Sequence, residues 1–499
     1  HHPSWTSPRV RNHGGMSSTY AELVAALESL PSKPRIVASG NAAIPYEVLR
    51  IVDATLPEFV LNMLAAHAGL PLREGITHET SFVGPGMRRS PHLSYVPARL
   101  SMVPILFNRA LPVDAVVAHT SLPHNGKISL GIETNVVRGA IEACKARGGT
   151  IIAQANAKMP YTFGDSEFDV DDFDIVYEVD IPVANYAHRK VVSAGDADLA
   201  TIGRLAAERI PDGATLQMGI GNIPDAVLPE LTHKKGLGIW TEMFSDGVLS
   251  LIEQGAMDED RPIVASFSMG SAELYEWMHL NERVLMLRTE TTNDPAHIAQ
   301  QPMMTSINTA LQVDLFGQAN ASRINARIHS GFGGQTDFIV GALHSDGGQA
   351  LMALRSWHPK ADVSTIIPLI DEPVTSFQHS AIVTEQGVAE IFGHDQAHQC
   401  WSIINRRPIP AFARSCGRKP TRWVWHEGPA VARRMATLPR VGGHRRVVHV
   451  VDVDAAAPGV DPAPGGYRRR RRTRREHRPG SQRLGFRRGT WRGAAVDRL

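Results

Sequence analysis

The chain has 499 residues, 43% of them hydrophobic and 20% charged, with a formal net charge of +2. This length exceeds what one hydrophobic core normally organises, so we expect two domains. Three scattered cysteines argue against a disulfide framework, and no apolar run is long enough for a membrane span or the core of a signal peptide. We therefore expect a large enzyme that works in the cytoplasm and binds no membrane.

The first stretch of the chain, residues 1–15, precedes Met16 and shows neither a helical nor a strand period. We expect it to be a non-native or disordered extension, and we exclude it from the prediction of the fold. The first predicted element is a helix over residues 19–30.

Short apolar runs typical of buried strands then alternate with amphipathic stretches of helical period. The strand-like runs are residues 115–118, 150–153 and 283–287, and the helical stretches are residues 137–145 and 198–208. This alternation predicts parallel α/β sheets. A change of character within residues 185–199 marks a domain boundary. The sequence thus predicts two open α/β domains with the active site in the cleft between them.

A glycine turn follows in the second half and is the first candidate binding site. Gly219 and Gly221 permit a tight turn, and Ile223 begins a helical apolar stripe with Pro224 in the first helical turn. Free N–H groups at such a helix start can hold a phosphate or a polarised carbonyl oxygen. The candidate binding residues are Gly219, Ile220, Gly221, Asn222 and Ile223.

Glu242 follows this turn at about 20 residues, a spacing also found in dinucleotide-binding folds, where an acidic residue holds a ribose. The third glycine of that fingerprint would fall at Pro224. Because this glycine permits close packing of helix on strand, its absence argues against a dinucleotide site. An ordinary surface or ion-paired glutamate is the other reading of Glu242 when it is taken alone.

Two further segments carry candidate binding residues. Asn308 lies in residues 305–311, and residues 331–335 read Gly-Phe-Gly-Gly-Gln. Each has a structural alternative, a buried amide bonded to backbone for Asn308 and a tight turn for the glycines. The candidates here are Asn308, Gly331, Gly333, Gly334 and Gln335.

Other chemistries have weaker support. His394 and His398 have metal-ligand spacing on a predicted helix, with Cys400 close behind, but no third and fourth ligand is evident, so we predict no metal site. A Gly-x-Ser-x-Gly elbow and a Walker-type loop are both absent from the sequence. These absences disfavour a serine nucleophile and phosphoryl transfer.

Eight segments follow one another in a characteristic order: residues 37–45, 121–131, 153–165, 216–247, 267–271, 306–311, 331–338 and 383–389. Together they resemble the acetyl-CoA hydrolase/transferase family, which includes 4-hydroxybutyrate CoA-transferase and acetate or succinate CoA-transferases. The resemblance implies two CoA-transferase domains. It also places Tyr161 where many relatives have an arginine, a replacement that would change how an acceptor carboxylate is held.

The resemblance further implies that Glu242 is the catalytic glutamate. A glutamate at this position attacks the thioester carbonyl of an acyl-CoA, and the departing thiolate returns to form a glutamyl-CoA thioester. An incoming carboxylic acid reverses these steps. Backbone amides of residues 219–223 and 331–334 would stabilise the oxyanions. Coenzyme A and acetyl-CoA are then substrates, and we expect no permanently bound cofactor.

Three functions remain, in order of preference. The first is a CoA-transferase acting between acetyl-CoA and a short-chain carboxylate such as 4-hydroxybutyrate. The second is an acetyl-CoA hydrolase, in which water intercepts the anhydride or thioester, and the third is nucleic-acid binding through the C-terminal tail. We expect small-molecule partners and a homo-oligomer, a dimer.

The C-terminal end departs from the family pattern after about residue 404. From Arg468 onward there are 13 arginines and two acids, a net charge of +11, which leaves −9 for the rest of the chain. We expect a disordered tail and favour an out-of-frame origin; a genuine tail would bind nucleic acid through phosphates. The predicted organisation is an extension (1–15), an N-terminal CoA-transferase domain (16–190), a C-terminal CoA-transferase domain with Glu242 (191–405) and a divergent tail (406–499).

Overall fold

A computed structural model describes residues 17–186, 196–219, 221–376 and 378–405. All of them belong to one compact unit. The predicted extension at 1–15, the predicted tail at 406–499 and the candidate residue Ile220 lie outside the described residues. Most of the predicted boundary at 185–199 lies outside them as well, and the division into domains stays a prediction.

The described part of the chain forms 27 strands and 12 α-helices. The strands are β1 (Arg35–Ala38), β2 (Phe59–Asn62), β3 (Ile76–Thr80), β4 (Leu93–Tyr95), β5 (Ala115–Ser121), β6 (Lys127–Ser129), β7 (Thr150–Asn156), β8 (Phe163–Gly164), β9 (Glu167–Asp169), β10 (Ile175–Val179), β11 (Thr215–Met218), β12 (Gly238–Trp240), β13 (Met243–Phe244), β14 (Ile263–Ala265), β15 (Phe267–Ser268), β16 (Val284–Met286), β17 (Thr305–Asn308), β18 (Gln312–Asp314), β19 (Ala319–Asn320), β20 (Arg323–Ile324), β21 (Arg327–Ile328), β22 (Gln349–Ala353), β23 (Trp357–His358), β24 (Val363–Ser364), β25 (Ile366–Ile367), β26 (Ala381–Thr384) and β27 (Gly387–Glu390). The helices are α1 (Tyr20–Glu28), α2 (Tyr46–Thr55), α3 (Val103–Asn108), α4 (Val137–Ala146), α5 (Ala197–Ala207), α6 (Asn222–Val227), α7 (Gly247–Glu253), α8 (Ala272–Met278), α9 (Thr289–Thr292), α10 (Pro295–Ala299), α11 (Gln335–His344) and α12 (Gln396–Asn405). None of these helices is both long and apolar enough to cross a membrane.

The first sheet has seven strands in the order β10-β7-β5-β1-β2-β3-β4, and every pairing in it is parallel. Its centre is apolar because β5 is buried along its whole length and β7 along all but its first residue. Strands buried on both faces are expected where helices cover a parallel sheet. Both predicted strands, at 115–118 and 150–153, are confirmed and extend three residues further.

The predicted helices are also confirmed, with ends set by local capping. Thr19 caps α1 through a capping box with Glu22, so the helix begins at Tyr20. Asp196 caps α5 by accepting a hydrogen bond from the backbone N–H of Leu199. Helix α4 coincides with the predicted stretch at 137–145 and buries Val137, Ala140 and Ile141 against the first sheet, among other residues.

The second sheet has nine strands in the order β27-β26-β22-β17-β11-β12-β14-β16-β8. All pairings are parallel except that of β26 with β27. The predicted strand at 283–287 is present as β16. Strand β8 comes from the first half of the chain, yet it pairs with β16 at the edge of this sheet. The predicted α/β class with mainly parallel sheets is confirmed.

Helices α5 and α6 pack closely beside the second sheet. Gly203 on α5 permits the close contact between the two helices, because a Cβ there would lie 2.1 Å from the carbonyl oxygen of Ala226 on α6. Pro224 lies in the first turn of α6, as the sequence predicts.

Several backbone hydrogen bonds join segments from the first half of the chain to segments from the second half around the candidate site. Val83 donates its backbone N–H to Ser330 at 2.8 Å, and Leu100 donates to Gly333 at 2.9 Å. On another side, the backbone N–H of Ser268 donates to Ile132 at 2.8 Å. These bonds hold the glycine-rich segment 331–334 and the segment after Glu242 against the first half of the chain.

Candidate active site

Glu242 lies at the carboxyl edge of the second sheet, two residues after the end of β12. Because β11, β12 and β17 are parallel neighbours, the residues after β11 and those at the end of β17 reach the same edge. The carbonyl oxygen of Glu242 accepts hydrogen bonds from Ser266 N, Ser266 Oγ and Phe267 N at 2.9, 2.9 and 3.0 Å. These three bonds fix the backbone at Glu242 and leave its carboxylate to interact with other segments of the chain.

Two donors hold the Glu242 carboxylate. Asn293 Nδ2 donates to Glu242 Oε2 at 2.7 Å, and the backbone N–H of Gly334 donates a second hydrogen bond. Asn293 is fully buried between α9 and α10, and Thr292 Oγ1 donates to its Oδ1 at 2.8 Å. That bond fixes the orientation of the amide, so its NH₂ group points to the carboxylate.

Gly334 approaches Glu242 so closely that no side chain fits there. A Cβ on Gly334 would lie 1.7 Å from Glu242 Oε2 and 2.1 Å from Asn293 Nδ2. Gly334 comes directly before α11 and gives its N–H to the carboxylate instead of to a helical partner. The close contact explains why glycine is needed at this point of the segment.

The environment of Glu242 makes its carboxyl group a weak acid. Burial raises the pKa of Glu242 to about 7, the hydrogen bond from Asn293 opposes this, and the charge of Asp337 raises the pKa further. Burial also raises the pKa of Asp337 to about 6, opposed mainly by hydrogen bonds from Ser101. A carboxyl group with a pKa near 7 is more basic than an ordinary glutamate and is still largely ionised above neutral pH.

Asp337 links this site to the first half of the chain. Ser101 Oγ donates to Asp337 Oδ1 at 3.0 Å, and Arg99 Nη1 lies 4.0 Å from the same oxygen. Asn293 also hydrogen-bonds Asp337, so one buried amide contacts both carboxylates. The sequence prediction included neither Asn293 nor Asp337 among the site residues.

The remaining predicted residues of the glycine-rich segment flank Gly334 and contact other groups. Gly331 forms an antiparallel bridge with Phe82, and Gly333 has a positive φ of 57°. Gln335 Nε2 donates to the carbonyl of Thr309 at 3.1 Å. A small cavity next to this segment is lined by Gly331, Phe332, Gln335, Ser322, Ala319 and Thr375, among others.

The glycine turn lies at the end of the neighbouring strand β11. Gly219 lines a second small cavity together with Thr241 and Met243. Gly221 has a φ of 118°, Asn222 is exposed, and Ile223 is buried. No hydrogen bond between this turn and the Glu242 carboxylate is recorded in the part of the chain that the structure describes.

Asn308 ends strand β17 beside β11. Its Nδ2 donates to Gln217 Oε1 at 3.3 Å and to Ser306 Oγ at 3.4 Å. Asn308 is therefore next to the strand that leads into the glycine turn, and its contacts are to side chains, not to backbone as the structural alternative supposed.

The placement of His394 on a helix is wrong. Helix α12 begins at Gln396, two residues later, because Asp395 accepts the backbone N–H of His398 at 2.8 Å and starts the turn there. The rings of His394 and His398 stack at 4.1 Å. Within the described ranges, no group of three or more His, Cys, Asp or Glu residues is arranged to hold a metal ion.

Tyr161 is buried, and its hydroxyl donates to Glu167 Oε1 at 2.7 Å. Because the hydroxyl proton of Tyr161 is already donated to Glu167, this side chain has no hydrogen-bond donor left for a substrate carboxylate. Tyr161 also lacks the positive charge that an arginine would have.

Known proteins are similar to this chain in sequence and in fold. The profile of the acetyl-CoA hydrolase/transferase C-terminal domain matches residues 270–408. The 4-hydroxybutyrate coenzyme A transferase of Clostridium kluyveri is 35% identical over 403 residues, which cover 76% of this chain and 92% of the relative. The chain belongs to the acetyl-CoA hydrolase/transferase family.

Solved structures of similar proteins agree with this family assignment. RipA from Yersinia pestis superimposes with a TM-score of 0.73 at 27% identity, over 79% of this chain and 94% of that chain. The 4-hydroxybutyrate CoA-transferase from Porphyromonas gingivalis superimposes with a TM-score of 0.64 at 28% identity, over 79% and 95%. The predicted CoA-transferase type of α/β fold is thereby confirmed for this member of the acetyl-CoA hydrolase/transferase family.

Proposed function

We propose that the protein is a CoA-transferase that moves coenzyme A between an acyl-CoA, such as acetyl-CoA, and a short-chain carboxylate such as 4-hydroxybutyrate. One observation carries the proposal: the partly buried carboxylate of Glu242, held by Asn293 and Gly334, lies at the carboxyl edge of the second sheet in a chain of this family. A carboxylate so placed is suited to attack a thioester.

In the first half-reaction, a carboxylate oxygen of Glu242 attacks the thioester carbonyl carbon. The C–S bond breaks, the CoA thiolate leaves with the electron pair, and an acyl anhydride forms on Glu242. The thiolate then attacks the glutamyl carbonyl of the anhydride, which releases the acyl group as its carboxylate and leaves a glutamyl-CoA thioester. An acceptor carboxylate repeats the two steps in reverse.

Each of these steps passes through a tetrahedral oxyanion next to Glu242. The N–H of Gly334 and the amide of Asn293 already donate to the Glu242 carboxylate, so they lie where negative charge develops on the glutamyl group. Removing one such donor typically costs about 100- to 1000-fold in rate. Both donors are held in place before substrate arrives, which avoids the cost of reorganising them.

We propose that coenzyme A binds along the carboxyl edge of the second sheet. The protein backbone of the glycine turn would lie close to coenzyme A, because glycine carries no side chain. The residues of this turn are Gly219, Ile220, Gly221, Asn222 and Ile223. Gly331 and Gln335, which line a small cavity, their neighbour Gly333, and Asn308 on β17 would contact its other parts. The assignment rests on shared position at one sheet edge.

The first experiment is a denaturing intact-mass spectrum of protein incubated with acetyl-CoA, with and without excess 4-hydroxybutyrate. A CoA-sized adduct is expected on the wild type and none on Glu242→Ala. The control is Glu390→Ala. Glu390 ends β27 and its carboxylate pairs with Arg209, so this variant also loses a carboxylate and should retain the adduct.

The same incubation separates the transferase from a hydrolase. Release of free CoA at equal rates with and without 4-hydroxybutyrate would indicate an acetyl-CoA hydrolase. A folded wild type that forms neither an adduct nor a new acyl-CoA with any short-chain acid would contradict the proposal. The dimer and the cytoplasmic location expected from the sequence stay predictions; sedimentation velocity tests the first of them.

A further inference from the structure

Glu133, in the first half of the chain, has a fully buried carboxylate. Glu133 is 1% exposed, and three donors hold its side chain. Asn41 Nδ2 lies 3.0 and 3.1 Å from its two oxygens, Asn135 Nδ2 donates at 2.8 Å, and the N–H of Gly40 donates as well. Such a set of neutral donors fixes the carboxylate in one orientation without supplying a positive charge.

The chain around Glu133 pairs directly with the chain next to Glu242. Glu133 forms an antiparallel bridge with Phe267, whose N–H donates to the Glu242 carbonyl at 3.0 Å. The N–H groups of Thr134 and Asn135 both donate to Ser266, at 3.0 and 2.9 Å. Glu133 and Glu242 thus lie on adjoining segments, one from each half of the chain.

The neighbouring charges that act on the carboxylates of Glu133 and Glu242 are negative. The negative charge of Glu242 acts on Glu133, and that of Asp337 acts on Glu242. Among the residues that the structure describes, no Lys, Arg or His side chain pairs with Glu133 or Glu242, and Arg99 is paired with Asp337. Burial raises the pKa of Glu133 to about 7, so the group is mostly ionised at pH 8.

We propose that Glu133 determines which carboxylic acids the site accepts, by excluding those that carry a second negative charge. This inference rests on the proposed function and names the substrate class: monocarboxylates with an uncharged or hydroxyl-bearing tail. The reacting carboxylate must approach Glu242, so the tail of the acid lies within a few ångströms of the same segments.

Electrostatics sets the size of the effect. A like charge held about 6 Å away in partly buried surroundings disfavours binding by about tenfold to a hundredfold. The low dielectric of a closed site weakens salt screening of this repulsion. An uncharged tail group experiences no comparable penalty, and a hydroxyl can donate a hydrogen bond to a carboxylate.

The test compares two acceptor acids of nearly the same shape, succinate and its monoamide succinamate, with acetyl-CoA as donor at pH 8. The readout is the ratio of kcat/KM for succinate to that for succinamate. The wild type should have a low ratio. Glu133→Gln should raise the ratio about tenfold or more, and Glu133→Asp, which keeps the charge, should leave it low.

Glu79→Gln is the control for neutralising a buried carboxylate elsewhere, since Glu79 is 5% exposed and binds Arg35 and Asn62. It should leave the ratio unchanged. If Glu133→Gln does not fold, Glu133→Met removes the same charge and carries the same expectation.

A ratio within twofold of the wild type in the neutral variants, or a wild type that uses both acids equally well, overturns the inference and leaves the proposed function intact. A folded wild type that transfers CoA to neither acid nor to 4-hydroxybutyrate overturns both.

Discussion

Asn293 Nδ2 donates to Glu242 Oε2 at 2.7 Å, and the same amide also hydrogen-bonds Asp337. One neutral side chain therefore lies between the partly buried carboxylate of Glu242 and the buried carboxylate of Asp337 and separates their charges. Because Asn293 is itself fully buried and oriented by Thr292, it cannot turn away from the pair without leaving buried polar groups unpaired.

The first prediction concerns Asn293→Ala. The hydrogen bond from Asn293 lowers the pKa of Glu242, so its loss raises that pKa above its present value of about 7. The acid limb of the profile of kcat/KM against pH should move to higher pH by about one to two units, since a hydrogen bond to a charged group is worth about 1.5–3 kcal/mol. We expect kcat to fall by about 100- to 1000-fold at pH 8, as for the loss of an oxyanion donor.

A matched control is Asn281→Ala, which removes an amide that bonds only the nearby backbone of Trp277 and Arg283 in the described structure. It should leave both the rate and the pH profile unchanged. An Asn293→Ala protein whose rate falls but whose acid limb does not move would show that Asn293 has no effect on the ionisation of Glu242.

The second prediction concerns Gly334→Ala. The new Cβ would overlap Glu242 Oε2, so either the carboxylate or the start of α11 must shift. We expect kcat to fall by about 100-fold or more, as for the loss of an oxyanion donor. Gly148→Ala is the control, because a Cβ there meets nothing within 4 Å and its φ of 72° brings only backbone strain. A Gly334→Ala enzyme with the activity of the wild type would contradict the close contact between Gly334 and the Glu242 carboxylate.

Much of this site could be predicted from the sequence, because glycines and an isolated carboxylate leave a visible pattern. Gly334 is predicted as part of a glycine-rich run, and glycine is needed at this one position because a side chain would overlap the Glu242 carboxylate. Asn293 left no such signal. Its position depends on the packing of α9 and α10, and an asparagine before Asp-Pro is also a common start of a helix.

The fold shows the same limit. Strands β5 and β7 are long, apolar and buried, so periodicity was enough to predict them. Strand β8 has only two residues, one of them a glycine, and it joins the second sheet through a long-range pairing with β16. A two-residue strand carries no period, and only the tertiary structure shows which sheet it extends.

The third prediction concerns Gly219→Ala. A Cβ on Gly219 meets no atom within 4 Å, so the protein should fold with its melting temperature changed by less than about 2 °C. If coenzyme A passes close to the backbone here, the methyl group should raise KM for acetyl-CoA about tenfold while kcat changes little. Isothermal titration with CoA measures the same effect directly, and unchanged affinity would remove Gly219 from the binding site.

The last prediction follows from the raised pKa of Glu242. In the unfolded chain this group has an ordinary pKa near 4.5, and in the folded protein the value is about 7. Between these two values the folded state binds more protons than the unfolded state, so the free energy of unfolding falls as pH rises from about 4.5 to about 7 and the penalty persists above that.

Glu242→Gln removes this group and therefore its share of the pH dependence. The free energy of unfolding of the variant, minus that of the wild type, should increase by about 2 kcal/mol between pH 5 and pH 8. Urea unfolding at the two pH values measures it. The pKa of Glu133 is raised mainly by burial in both proteins, so most of its contribution cancels, and only the smaller part that comes from the Glu242 charge is lost in the variant. Glu390→Gln, at a partly exposed carboxylate paired with Arg209, should show no such gain at high pH. A difference for Glu242→Gln that is the same at pH 5 and pH 8 would mean that Glu242 titrates as an ordinary glutamate, and its enhanced basicity as a nucleophile would have to be abandoned.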